Sequence, residues 1–421
     1  MLKWMKLNNV GPSPCLEMDL APRVNLITGD NGLGKTFLLD LIWFIQTHTN
    51  SGTPIRPTLS KNEIASIESS SDDFPNPHTS YYDRSQQAWT GSVDVGASSS
   101  LVIFAHVDGS FSVFDSVRSS QRLSIDRNDV SLPVSYRFSA KEIWDGLEQG
   151  GKIFCNGLIR DWVSWQLGSF ESFRLLSSVL IKLSPPDLEP LRPGKPVRVS
   201  LDDVRDIPTL QMPYSKEVPL LHVSAGMRRI IALSYLLVWA WQEHLNACAL
   251  LGEKSTSKIV FLIDEIDAHL HPRWQRSILG ALLDVANVLS DSSRLKVQLI
   301  CTTHSPMILA SMEPLFEIDI DKLFLLDLKD NKVSFEKIEW AMQGDSSGWL
   351  VSEVFGLKQA RSREAERAIE AAEAFMRGEL TALPSDLNSR ESIHAELSRV
   401  LAGHDPFWPR WVIHRERSVN K

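Results

Sequence analysis

The sequence predicts an α/β protein: a mostly parallel core sheet with flanking helices, an antiparallel β lobe and a helical lobe. Three observations predict it. Residues 23–28 (Arg-Val-Asn-Leu-Ile-Thr) make an apolar run that stops at Gly29, and Phe37, Leu38, Leu41, Ile42 and Ile45 then fall on one helical face. Residues 258–263 (Lys-Ile-Val-Phe-Leu-Ile) make a second apolar strand, ending in Asp264 and Glu265. Residues 295–301 run the same way into Thr302, Thr303 and His304. Unbroken apolar strands are buried on both faces, as in parallel sheets covered by helices on each side.

The other elements follow in chain order. Residues 2–8 and 15–20 read as short extended runs, and with the helix over 34–47 they complete a first core segment, 1–47. Residues 48–79 are rich in Ser, Pro, Asn and Asp and are expected to be a flexible surface loop. Alternating runs at 92–95 (SVDV), 100–107 (SLVIFAHV) and 109–117 (GSFSVFDSV) place an antiparallel insertion over 80–139, with a hairpin at Asp108-Gly109. A helical lobe is expected over 140–184, and five prolines between Pro185 and Pro196 mark a stiff connector. The core resumes over 197–345 with a long helix (226–248), a strand (258–263), a helix (272–289), a strand (296–301) and a strand (322–328) with a hairpin at 329–332. The remainder, 346–421, reads as helical: Ala365, Ala368, Ile369, Ala372, Phe375 and Met376 share a face, and Gly378 is the stop.

Composition narrows the class. The 421 residues carry 44 Lys+Arg and 52 Asp+Glu, for a net charge of −8, with 43% apolar and 23% charged residues. That balance excludes a disordered or fibrous chain and a surface that is basic throughout. The four cysteines lie far apart, which excludes a zinc ribbon or a small disulfide framework. The opening residues lack the apolar region of a signal peptide, and the longest apolar run (230–241) is shorter than the roughly 20 residues that span a bilayer. A soluble, cytoplasmic protein without a membrane partner is expected.

Chemistry concentrates in four places. Gly29, Asp30, Asn31, Gly32, Leu33, Gly34, Lys35 and Thr36 spell GxxxxGK[ST] between a strand and a helix. The glycines let backbone N–H groups point inward, the helix N-terminus adds its positive end, and Lys35 supplies a charge for the β- and γ-phosphates. The Thr36 hydroxyl suits Mg²⁺. At the second strand end, Asp264 would hold the metal and Glu265 would polarise the attacking water or take its proton. His304, at the end of the third, is placed to hydrogen-bond the γ-phosphate. Ser224 and Gly226, in His222-Val-Ser-Ala-Gly-Met-Arg-Arg229, open the long helix about 40 residues before Asp264. They form a second anion site, too distant along the chain to serve the same nucleotide from the same subunit.

The order Gly29–Thr36, Ser224–Gly226, Asp264–Glu265, His304 resembles the ABC-type ATPases, and within them the soluble RecF/SMC-like branch with its overcoming-lysogenization-defect (OLD) type and similar phage-defence members. The run Asp264-Glu-Ile-Asp267-Ala-His-Leu-His-Pro272 is similar to the ending of that branch's acidic motif, with Asp267 where its D-loop lies. The resemblance covers roughly 1–47 and 218–330. It implies a homodimer or higher oligomer with two ATP·Mg²⁺ sandwiched between subunits, each phosphate loop facing the Ser224–Gly226 turn of the other. This chain departs from the family's S-G-G-Q/E signature, since Ala225 and Met227 replace the second and fourth residues, and Arg228 or Arg229 is left to compensate. For the glutamine that links core and helical lobe, Gln166 is the first candidate, with Gln86 and Gln87 as alternatives.

No heptad repeat follows the phosphate loop, so no long DNA-tethering arm is expected. Nor is an appended acid-rich nuclease domain visible after His304. The resemblance thus implies an ATPase whose dimerisation gates DNA sensing and a separate effector, a nuclease or toxin, in bacterial anti-phage defence. The alternatives are a nucleotide-locked scaffold that cages an effector without DNA contact, and a transporter subunit. Several side features stay open between two readings. Arg228 and Arg229 suit either DNA phosphates or nearby acids; His269 and His271 suit a loop before a helix at Pro272 better than zinc. Trp162, Trp165, Trp239 and Trp241 suit packing better than base stacking. The tail aromatics Phe407, Trp408 and Trp411 suit helix-end packing or a docking site.

Overall fold

The computed structural model describes all residues except 58–62, 92–97, 120–134, 290–294 and 420–421, and the side chains of 414–419. Two compact units divide it, Met1–Met342 and Gln343–Lys421.

The first unit opens with β1 (Leu2–Asn8), β2 (Cys15–Asp19) and β3 (Val24–Gly29), then α1 (Lys35–Thr47). Three further strands, β4 (Ser66–Ser71), β5 (His78–Asp83) and β6 (Ala88–Thr90), join β1 and β2 in a five-stranded antiparallel sheet ordered β2-β1-β4-β5-β6. The expected flexible loop over 48–79 is therefore corrected: it contains β4 and the first residues of β5. Its serine-rich composition hid the strand, in which Ile67 is buried and pairs with Leu7.

Strands β7 (Leu101–Ala105), β8 (Phe111–Asp115) and β9 (Tyr136–Phe138) are not a separate lobe either. They belong to the core sheet, with β7 parallel to the strand that ends in the two acids. An all-buried run such as Leu-Val-Ile-Phe-Ala reads alike in a parallel and an antiparallel sheet, so only pairing decides. The expected run at 92–95 lies outside the described residues.

The helical lobe holds α2 (Ala140–Asp145), the hairpin β10 (Leu147–Gln149) and β11 (Lys152–Cys155), α3 (Leu158–Leu167) and α4 (Phe170–Leu183). Short strands β12 (Arg192–Pro193), β13 (Val197–Arg198), β14 (Asp206–Ile207), β15 (Thr209–Met212) and β16 (Ser215–Pro219) follow, pairing only among themselves. The core thus resumes with α5 (Ala225–Leu251), after these small sheets rather than at residue 197. It continues with β17 (Lys258–Ile263), α6 (Pro272–Leu289), β18 (Lys296–Thr302), α7 (Pro306–Met312), β19 (Asp321–Lys329) and β20 (Lys332–Ile338). Asp330 and Asn331 both have positive φ, as the tight β19–β20 hairpin requires.

The core sheet runs β20-β19-β3-β18-β17-β7-β8-β9, with β19, β3, β18, β17 and β7 mutually parallel. Helix α1 is buried on nearly every side because it is wedged between sheets: Leu38, Leu41, Ile42 and Trp43 pack with Met5 and Leu7 of the small sheet and with Phe104, Val260, Leu262 and Ile300 of the large one. Five parallel strands therefore deliver their carboxyl ends to one edge, where ligand sites of open α/β sheets form.

The second unit contains α8 (Ser346–Leu350), α9 (Arg363–Arg377), α10 (Arg390–Val400) and α11 (Phe407–Val419). Gly378 caps α9 in the left-handed conformation, as expected. Phe407 and Trp411 are buried in this unit's own core with Ile369, Ala372 and Leu397, so packing, not docking, accounts for them.

Candidate nucleotide site

The loop after β3 curls because Gly29, Gly32 and Gly34 all take positive φ. Gly34 is the N-cap of α1 and offers no side chain, which leaves the first-turn N–H groups free for an anion. Lys35 Nζ lies folded over the loop, donating to the carbonyls of Gly29 and Asp30 at 2.8 Å each. Burial lowers its pKa, against the pull of Glu265, Asp264 and Asp30. An ammonium partly stripped of water is one that a phosphate satisfies well.

Strand β17 brings Asp264 to the same place. Its carboxylate is 1% exposed and accepts from the hydroxyl of Thr36 at 2.8 Å and from that of Thr302 at 2.8 Å. Two hard oxygen ligands, the Thr36 hydroxyl and the Asp264 carboxylate, thus already stand side by side and fit Mg²⁺. Glu265 is held in the left-handed region at φ 46°, strain that an acidic residue does not adopt without support. The support is visible: its N–H donates to Thr302 Oγ1 at 2.7 Å, and its carbonyl accepts from Arg229 Nη2 at 2.9 Å and from Ala268 N at 2.9 Å.

His304 follows β18. Its backbone N–H donates to Asp267 Oδ1 at 3.2 Å, an acceptor that also takes the Thr303 hydroxyl at 2.6 Å. Its ring nitrogen Nε2 stands 3.8 Å from Glu265 Oε1 and is buried without a hydrogen-bond partner among the described residues. A buried polar atom left unmatched beside a carboxylate marks a place for a ligand oxygen.

The two remaining predicted groups make no hydrogen bond to the phosphate loop or the acids among the described residues. Ser224 is the N-cap of α5, accepting from Met227 N at 3.4 Å, and it is exposed. Gln166, on α3, donates through Nε2 to the Gly194 carbonyl at 3.0 Å, and no hydrogen bond among the described residues ties it to the phosphate loop or the acids. Gly226 has a local reason to be glycine. A Cβ there would meet the His269 carbonyl oxygen at 2.6 Å, so the start of α5 packs directly on the backbone that follows the acids.

Arg229 bonds to the main chain of the two acids rather than to their carboxylates. Its Nη2 donates to the main-chain carbonyls of Asp264 (2.8 Å) and Glu265 (2.9 Å), and burial lowers its pKa against the pull of Asp264 and Asp267. It clamps the acidic turn from within.

Sequence reading missed Thr302, Arg229 in this role, Asp40 and His106. Thr302 and Arg229 meet partners far along the chain, and His106 and Asp40, which bond to the nearer Ser112 and Ser51, come close to the site only through the fold. Ala105 pairs with Ile263, so His106 follows β7 where Asp264 follows β17. Its Nε2 lies 2.9 Å from Ser112 Oγ, which lies 3.1 Å from the Ser51 carbonyl; the Ser51 hydroxyl in turn donates to Asp40 on α1. Because the Ser112 proton goes to Ser51, Nε2 of His106 carries the proton.

Burial, with Arg137 nearby, lowers the His106 pKa to about 4 from 6.5. The unfolded chain therefore binds the proton first as pH falls. Stability is full at neutral pH and is lost between about pH 6.5 and 4, by up to roughly 3 kcal/mol from this group. His106→Gln keeps a donor for Ser112 without titrating. Urea unfolding at pH 7 and pH 4.5 should show a smaller acid loss in the variant than in the wild type; equal losses would remove His106 from the account.

Residues 108–310 match the family described as "AAA domain, putative AbiEii toxin, Type IV TA system". That match and the order of motifs on a parallel sheet point the same way. The chain is similar to the ABC-type ATPases of the RecF/SMC-like branch. Septu protein PtuA of Bacillus thuringiensis is 22% identical over 374 residues, 86% of this chain and 86% of that one. The retron Ec83 probable ATPase of Escherichia coli is 29% identical over 144 residues, 33% of this chain but only 22% of that protein. The solved SMC head domain from Thermotoga maritima is 12% identical and aligns over 80% of this chain and 99% of that one, at a TM-score of 0.37. Among the described residues, no helix of this chain is long and apolar enough to cross a membrane.

Proposed function

We propose that the chain hydrolyses ATP between two copies of itself and uses closing and opening of that dimer to control a separate effector protein, a nuclease or toxin, in the cytoplasm as part of bacterial anti-phage defence. The observation that carries hydrolysis is the convergence of Lys35, Thr36, Asp264, Glu265 and the unmatched Nε2 of His304 at one sheet edge. Similarity to a Septu protein and a retron ATPase supports the defence setting.

In this reading the loop over 29–36 and the first turn of α1 bind the triphosphate, with Lys35 leaving its carbonyl partners for the β- and γ-phosphates. Thr36 and Asp264 would hold Mg²⁺, which neutralises developing charge on the phosphates. Glu265, fixed by its strained backbone, orients water and takes its proton as the water oxygen bonds to the γ-phosphorus and the bridging oxygen leaves with ADP. Nε2 of His304 donates to the γ-phosphate. Ser224 and the N–H groups at the start of α5 act on the nucleotide of the second copy. Gln166 would enter only if nucleotide draws the helical lobe toward the core, freeing its amide from Gly194.

Mixing decides the dimer. Lys35→Ala and Ser224→Ala copies, each inactive alone, should together recover about a quarter of wild-type turnover from mixed dimers, each with one intact site. No recovery, with nucleotide never converting monomers to dimers in light scattering, would sink the shared-site reading.

Arg229 favours the second reading downstream, an effector cage without DNA contact at this helix, because its guanidinium is committed to the acidic turn. DNA-stimulated turnover with a steep salt dependence would restore the sensor reading.

A further inference from the structure

Between α3 and the C-terminal half of α5 lies a cavity of about 420 Å³ that the nucleotide chemistry does not use. Upstream the two helices touch: Tyr235 of α5 is fully buried and donates its hydroxyl to Asp161 of α3 at 2.7 Å. From there on they part. Helix α5 lines the gap with Trp239, Gln242, Glu243 and Asn246, spaced i, i+3, i+4 and i+7 on one stripe, and α3 lines it with Asp161 and Trp165. Facing helices normally close with apolar side chains; a polar gap of this size holds water or a ligand.

The hydrogen-bond inventory says which ligand. Asn156, also in the wall, commits one amide N–H to Asp161 at 2.9 Å, and Asn246 commits one of its own to Glu243 at 3.3 Å. Their carbonyl oxygens remain, together with the Glu243 carboxylate and a Gln242 amide that has no side-chain partner among the described residues. Ser169 and Ser172, the wall's hydroxyls, bond to each other at 3.1 Å. The lining therefore offers amide carbonyl oxygens, carries a carboxylate at Glu243 and is walled by two indoles.

A planar cation with a fork of N–H donors matches every part of that description; a compact ammonium matches only the charge. The chain shows the preference itself at the rim. The Arg118 guanidinium lies 4.5 Å from the Tyr136 ring centroid and 5.8 Å from that of Trp239, with a nitrogen 3.8 Å from Glu243 Oε2.

We propose that this cavity binds a guanidinium group, borne by a small molecule or by an arginine side chain of a partner polypeptide, against the indoles of Trp165 and Trp239 and with its N–H groups donated to Glu243. Because Ser224 caps α5, an occupant bears on the same helix that would meet the second nucleotide.

The test titrates the full-length protein with butylguanidine, butylamine and butylurea, followed by tryptophan fluorescence and calorimetry. Saturable binding of butylguanidine is expected, with the ammonium and the neutral planar isostere each at least about tenfold weaker. Glu243→Gln should weaken butylguanidine about tenfold, Asn246→Leu should weaken it by filling the gap, and Lys35→Ala should leave it unchanged; thermal melts confirm that each variant is folded. Tighter binding of acetyl-Gly-Arg-Gly-amide than of butylguanidine would assign the source to a polypeptide, and weaker binding to a small molecule. Failure of butylguanidine to saturate, equal binding of butylurea, or indifference to Glu243→Gln would overturn the proposal.

Discussion

Glu265→Gln is expected to bind ATP as well as the wild type and to turn it over about a thousandfold more slowly, within the range that loss of a general base produces. The substitution keeps the size of the side chain and leaves untouched the backbone contacts that impose φ 46° on this residue. What it removes is the proton acceptor 3.8 Å from His304 Nε2. Nucleotide then stays uncleaved, and the proposed dimer should persist in light scattering with ATP where the wild type returns to monomers. Single-turnover kinetics separate binding from chemistry. A variant that cleaves ATP at the normal rate would show that another group takes the proton.

The second large effect is on folding. Gly29→Ala places a Cβ 2.1 Å from the carbonyl oxygen of Leu326, in a residue whose φ is +139°. Both the clash and the backbone strain fall where β3 pairs with β19, and the neighbour is backbone that cannot swing aside. Roughly 2–5 kcal/mol of destabilisation is expected, with loss of ATP binding as the loop is pushed out of place. Gly32 provides the internal control: a Cβ there meets nothing within 4 Å, although its φ of +79° still disfavours other residues. Gly32→Ala should therefore cost about 1 kcal/mol, read by urea denaturation beside Gly29→Ala. Similar losses in the two variants would mean that strain alone, not the contact with Leu326, makes Gly29 necessary.

The site divides sharply into legible and hidden parts. Lys35, Thr36, Asp264, Glu265 and His304 each sit at the end of an apolar strand or at the start of the helix after one, and strand ends of a parallel sheet share an edge by construction. Their convergence could be read before any pairing was known. The helix over 272–289 was read to the residue because Pro272 opens it and its apolar face repeats regularly. The serine-rich strand β4 was not, since its composition matches that of a loop and only β1 gives it a partner.

What this chain's residues determined alone was the local chemistry: a curled glycine loop, paired carboxylates, a strand-end histidine and a serine-capped long helix, each set by short-range sterics and periodicity. The tertiary structure decided the rest: that β7 lies beside β17 and carries His106 to the edge, that Thr302 and Arg229 lock the acidic turn, and that Gly226 is needed for close packing. Those facts depend on which strands become neighbours. Side-chain periodicity is the same whichever neighbour a buried strand acquires, so no pattern along the chain carries that information.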